Sequence, residues 1–215
     1  MTYTECFFNN EIRFCKFNGY LAVGNGVNNY LELSTKYSGK IRIPASVDGV
    51  PVKEISPYAF FRCNLITSVY IEKGITKICE GSFGDCYSLV DINVPSTVES
   101  IGNCGIHFWN WTDTSNHVST GICMIYFEKN YVLKSLGNQC FAYKDNVILV
   151  FENPIRPQIG PSCLNFVSNP KIISPIPFNF NGIRSSPRVL TKHQHCRSSF
   201  SMAFMISLMV IVLSP

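Results

Sequence analysis

The stretch ISPYAFFRCNLITSVYIEKGITKICEGSFGDCYSLVDINVPSTVESIG, Ile55 to Gly102, repeats itself every 23 residues. Ile55, Ile78 and Ile101 share one column. Phe60 pairs with Phe83, Cys63 with Cys86, Ile66 with Leu89, Val69 with Ile92, Ile71 with Val94, and Ile75 with Val98. A period of this length points to stacked structural units. Within each unit, Val69-x-Ile71 and Ile92-x-Val94 alternate with polar neighbours, the rhythm of a half-buried strand. Lys73-Gly74 and Pro95-Ser96 then turn the chain. Phe60 and Phe83 fill the far side of the coil, and Cys63 and Cys86, three residues on, have the spacing of one short helical turn. A single coil cannot bury its apolar face, whereas stacked coils cover one another.

The frame continues past Gly102 in a looser form. Ile106 falls in the Phe column, and a dozen residues through Trp109, Trp111 and Asn116 then interrupt the pattern. Ile122 to Phe127 restores it. Leu136 and Ile159, Cys140 and Cys163, and Phe141 and Leu164 are again 23 apart. The matching strands are Leu149-Val150-Phe151 and Ile172-Ile173, giving about five coils between Ile55 and Pro177.

Three segments, Ile66-x-x-Val69-x-Ile71, Leu89-x-x-Ile92-x-Val94 and Ile122-x-x-Ile125-x-Phe127, match the L-x-x-L-x-L core of leucine-rich repeats. The phrases IPASVDGVPVKEISPYAFFRC (Ile43 to Cys63) and VPSTVESIG (Val94 to Gly102) resemble the BspA-type branch of that family. The resemblance implies an α/β solenoid: a parallel β-strand face, short helical or irregular convex segments, and no catalytic residues. It also implies a role in adhesion or protein recognition, since members are described as surface antigens of bacteria and parasitic protists. Residues 1–54 are expected to form a strand-rich N-terminal cap with lead-in strands. The solenoid follows over 55–177, with an insertion at about 107–118, then a basic linker over 178–197 and an apolar tail over 198–215.

Composition agrees with a folded solenoid: 46% of residues are hydrophobic and only 15% charged. The net charge of +4 gathers near Arg184, Arg188, Lys192 and Arg197. No basic stripe suited to a phosphate backbone is present, so nucleic acid is not an expected partner. Of the ten Cys, several follow the repeat and read as small buried hydrophobes. Cys63 and Cys86 are expected to be stacked free thiols, with a redox pair as the alternative.

Met1 to Phe14 carries Glu5 and Glu11 and does not read as a signal peptide. The 18 uncharged residues from Ser198 would span roughly 27 Å as a helix, against about 30 Å of bilayer core. Phe200, Phe204, Leu208 and Leu213 are therefore candidate membrane-anchor residues, with a C-terminal cap on the last coil as the alternative.

Other motifs are weaker. His193-Gln-His195-Cys196 has no complementary ligand pair, so no metal is expected. Gly24-Asn-Gly26 lacks the third glycine of a dinucleotide loop and reads as a turn, leaving no expected cofactor or small-molecule substrate. Asn110-Trp111-Thr112 is a glycosylation sequon inside the insertion. Trp109 and Trp111 are either partner anchors or a plug for the irregular coil. On the strand face, Tyr70 and Asn93 share an outward column and are candidate partner contacts.

The expected function is a non-enzymatic module that binds a protein ligand, displayed at a cell surface through its tail. Basic residues ahead of the tail favour a cytoplasmic side instead, so a tail-anchored scaffold on an internal membrane is the alternative. A degenerate repeat fragment is a further one.

Overall fold

In the computed structural model, residues 5–24, 37–110, 118–152, 157–174, 179–180 and 183–184 are described. Three strands open the chain: β1 (Cys6–Asn9), β2 (Ile12–Phe17) and β3 (Tyr20–Val23). The first coil follows with β4 (Ser38–Ile43), β5 (Ser46–Val47) and β6 (Val50–Ile55). Each later coil supplies a first strand and then a two-residue strand. The first strands are β7 (Leu65–Ile71), β9 (Asp91–Val94), β11 (Ser119–Phe127) and β13 (Lys144–Phe151). The two-residue strands are β8 (Lys77–Ile78), β10 (Ser100–Ile101), β12 (Ser135–Leu136) and β14 (Gln158–Ile159). Then come β15 (Lys171–Ile173) and a hairpin of β16 (Asn179–Phe180) and β17 (Ile183–Arg184).

Two parallel ladders run the length of the solenoid. One has the order β15-β13-β11-β9-β7-β4. The other runs β3-β6-β8-β10-β12-β14, with β1 and β2 added antiparallel at its start. The ladder register follows the sequence columns: Val69 lies opposite Ile92, and Ile101 lies opposite both Ile78 and Leu136. The result is a parallel β-solenoid of about five turns.

The core lies between the ladders. Ile55, Ile78, Phe60, Phe83, Ile66 and Leu89 are all 0% exposed. The Phe60 and Phe83 rings stack at 5.1 Å, and those of Phe127 and Phe151 at 4.3 Å. Each such side chain contributes roughly 1.5–3 kcal/mol by leaving water. Ile106, Phe141 and Leu164 continue the Phe column through the looser coils, as the spacing predicts. Cys63 and Cys86 are buried thiols. Cys6 and Cys15, cross-strand partners on β1 and β2, form a disulfide that no repeat column announces.

The helical part of the expected α/β architecture is not found: no helix occurs among the described residues. The convex segments are irregular turns instead. Alternate amides bond to the next coil: Phe60 N–H donates to Ser82 O and Arg62 N–H to Gly84 O, both at 2.8 Å, while Ala59 N–H and Phe61 N–H between them close turns onto Ser56 O and Tyr58 O, both at 3.2 Å. Phe83 N–H reaches Gly105 O at 2.9 Å, and Asp85 N–H reaches His107 O at 2.8 Å. Tyr58, Arg62, Asp85, Gln139 and Tyr143 adopt positive φ between 51° and 65°. Left-handed residues at this spacing prevent an α-helix from propagating.

Candidate functional site

The ladder that contains β7 and β9 presents its outer face to the surroundings, and alternation decides what that face carries. Inward on β7 are Val69 and Ile71; outward are Ser68 and Tyr70. Their neighbours are Arg42 on β4, in register with Tyr70, and Asp91 on β9, in register with Ser68.

These outward groups pair from coil to coil. Ser68 Oγ–H donates to Asp91 Oδ1 at 2.6 Å. Arg42 donates through Nε to Glu72 Oε1 at 2.7 Å, and its guanidinium lies 4.8 Å from the centre of the Tyr70 ring. Ala45 N–H donates to the other oxygen of Glu72 at 2.9 Å. That backbone bond, with help from Arg42 and against the cost of burial, holds the Glu72 carboxyl below its ordinary range. Tyr70 itself is 39% exposed, so a large aromatic is held in place and still open to a partner.

Asn93 shares the column but is used differently. Its Oδ1 accepts from Ile71 N–H at 2.6 Å and its Nδ2–H donates to Ile71 O at 2.9 Å. The β7–β9 ladder pairs only Ser68–Asp91 and Val69–Ile92, so the Asn93 amide satisfies the backbone where that pairing ends. Its side chain is buried and belongs to the frame.

The insertion starts beside a second cluster. Trp109 is half-buried, with its ring 4.4 Å from Tyr143 and stacked on His107 at 6.4 Å. His107 Nδ1 lies 3.2 Å from Asp85 Oδ1. Asn110 is half-buried, while Trp111 and the rest of the sequon lie outside the described residues. Phe200, Phe204, Leu208 and Leu213 also lie outside them; among the described residues no helix is long and apolar enough to cross a membrane.

Sequence reasoning missed two features. Lys144 is 1% exposed and occupies the column of Cys63 and Cys86. Its Nζ donates to Tyr87 O at 2.7 Å and to Ser119 Oγ at 3.0 Å, tying the coil before the insertion to the strand that follows it. Burial lowers its pKa. The second feature is the composition of the outer face beyond β9, where Met124, Ile148, Val150 and Ile173 replace polar groups. Its sequence signal was present: Ile122 to Phe127 and Val147 to Phe151 are continuous apolar runs, as in strands buried on both faces.

Comparisons with known proteins bear on this geometry. The family model described as BspA type leucine rich repeat region matches residues 53–185 in six copies. Among solved structures, a leucine rich cell surface protein from Faecalibacterium prausnitzii A2-165 is similar at 17% identity and a TM-score of 0.42. That alignment covers 80% of this chain and 55% of that one. A leucine-rich repeat protein from Bacteroides ovatus ATCC 8483 is similar at 16% identity and a TM-score of 0.37, over 78% of this chain and 70% of the other. For one from Eubacterium ventriosum ATCC 27560 the values are 17% and 0.33, over 81% and 43%. The chain thus spans little more than half of the Faecalibacterium protein's resolved length. No curated protein matches it.

Proposed function

Because this chain belongs to the BspA-type leucine-rich-repeat family, we propose that it is a non-enzymatic protein-recognition module, displayed at a membrane surface by its C-terminal tail. The observation that supports this reading most directly is Tyr70. It is an exposed aromatic, held by Arg42 on a rigid parallel ladder. Tyr and Arg are the side chains that most often dominate binding energy at interfaces, because they bring large contact area at little entropic cost. Around Tyr70 the polar groups are engaged in coil-to-coil pairs. That gives a flat, preorganised surface.

The test is a photo-crosslinking amino acid at position 70 of the full chain on intact cells, with the same residue at exposed Lys77 on the opposite ladder as control. A discrete protein adduct from position 70, absent from position 77, is the expected result. Equal adducts from both positions, or none from either, would sink the reading.

Arg184, Arg188, Lys192 and Arg197 precede the apolar tail, and basic flanks favour the cytoplasmic side. That observation motivates the second reading, a scaffold tethered to the cytoplasmic face of an internal membrane. Protease protection of membranes, with a glycosidase shift at Asn110, separates the two. A protected, glycosylated domain supports outward display; a digestible, unglycosylated one that still sediments with membranes supports the scaffold.

A further inference from the structure

The two ladders end differently at the start of the solenoid. One is extended by β3, β2 and β1, whereas the other stops at β4. The backbone of β4 is therefore paired on one side only, with β7. Alternation fixes what its other side carries. Ile43 O accepts from Glu72 N–H at 3.0 Å, so Ile43 turns its backbone groups towards the second coil. Ile41, two residues earlier, does the same. Lys40 and Arg42 turn theirs away. No described residue bonds to the β4 backbone on that side.

The open edge borders a cleft of about 410 Å³. Residues 9–12, at the turn between β1 and β2, line its other wall. Tyr37, whose hydroxyl accepts from Arg13 N–H at 3.4 Å, joins the two walls. A row of unpaired N–H and C=O groups is a template for an extended segment from another chain. A second copy fits poorly. In a two-fold pairing of β4 with β4, the turns of both copies would meet in one seam. A single free strand needs only one ladder spacing, about 4.8 Å.

Charge selects the strand. Lys40 and Arg42 carry their side chains on the outer face, in the rows of Ser68 and Tyr70. Arg42 already holds Glu72. Lys40 is exposed, and among the described residues no carboxylate pairs with it. Glu11 lies across the cleft on the opposite wall. Basic side chains on an edge discourage unselective sheet pairing, and they favour an opposite charge on the neighbouring strand.

We propose that the free edge of β4 takes up an extended acidic segment of a partner protein as an added strand. The segment bonds to the backbone of Lys40 and Arg42 and sets a carboxylate beside the Lys40 ammonium. This rests on the recognition reading and gives it a binding mode. Tyr70 stands about 10 Å, two strand spacings, from the added strand, within reach of the same partner.

Hydrogen exchange of the full chain, followed amide by amide by NMR, tests the edge. In the free chain the Ile41 and Ile43 amides are expected to exchange slowly and those of Lys40 and Arg42 fast. Slow exchange at Lys40 and Arg42 in the free chain would overturn the proposal. If it were independent of protein concentration the chain itself would fill the edge, and if it grew with concentration a second copy would. The blocked hexapeptide Val-Glu-Val-Glu-Val-Glu, at millimolar concentration, is expected to slow exchange at Lys40 and Arg42 at least tenfold. Its counterpart Val-Lys-Val-Lys-Val-Lys is expected to change nothing. Protection by both peptides, or by neither, would sink the idea. Lys40→Glu is expected to invert the preference, with slow Ile41 and Ile43 amides showing that its ladder is intact; an unchanged preference would count against the proposal. A crosslink from position 70 with β4 unprotected would remove the edge and leave the recognition reading in place.

Discussion

Single residues show how tightly the coils are stacked. Gly102, Gly137 and Gly160 occupy one column where backbones of successive coils meet. A Cβ at Gly137 would sit 2.4 Å from Asn103 N and Gly102 C, which are backbone atoms and cannot swing aside. Gly137→Ala should therefore cost about 1–3 kcal/mol, read as a lower urea midpoint. Buried thiols supply a second prediction. Burial pushes Cys63, Cys79 and Cys123 up to about 12 from an ordinary 9.0, and Cys86 well above it. A raised folded-state pKa contributes stability that is complete below about pH 9 and is lost as pH rises towards 12. Lys144, lowered by burial, acts in the opposite sense, but it is one group against several. The unfolding free energy should fall steadily above pH 9, by up to about 1.4 kcal/mol per thiol per pH unit, and the urea midpoint with it. A flat midpoint to pH 11 would contradict the buried assignment.

At the scale of an element, the insertion is held at its base. Trp109 packs on Tyr143, and Lys144 ties Tyr87 to Ser119 across the gap. Trp109→Ala should lower stability by about 2 kcal/mol, less than a fully buried aromatic would lose, visible as a reduced melting temperature. Unchanged melting with weakened partner capture would make Trp109 an anchor instead. For Lys144 the ranking is informative. Lys144→Met keeps the volume and removes a buried charge, so it should cost under about 1.5 kcal/mol, whereas Lys144→Ala leaves a cavity and should cost about 3 kcal/mol. Chemical denaturation of the two variants side by side checks the order. Neither Lys144 nor its role was readable beforehand, because a lysine in a column of small apolar residues looks like decay of the repeat. Only the fold brings Tyr87 and Ser119 to its ammonium.

Across the whole molecule, stability passes from coil to coil, and the ends are the weak points of such a stack. At the N-terminal end β3 pairs in parallel with β6, and Phe14, Leu21 and Val23 join the main core. A chain lacking residues 1–24 should expose the first coil and elute from a sizing column as aggregate. A soluble monomer with an unchanged melt would show that the antiparallel meander is dispensable. The surface around Tyr70 is likewise assembled from three successive coils, with Arg42 on β4, Tyr70 on β7 and Asp91 on β9.

The sequence alone determined the period, the inward columns and the strand rhythm, because each is a local pattern repeated at fixed spacing and each repeat needs the next to bury its face. It also located the interruption after Ile106 and the column shared by Tyr70 and Asn93. The tertiary structure decided the rest. It made the convex segments turns, since alternate amides bond to the following coil and left-handed residues block a helix. It set Tyr70 open and Asn93 closed, because one stands over Arg42 at a complete ladder and the other completes a ladder that ends. And it separated a polar half of the outer face from an apolar half, a difference of burial between side chains that a 23-residue spacing treats as equivalent.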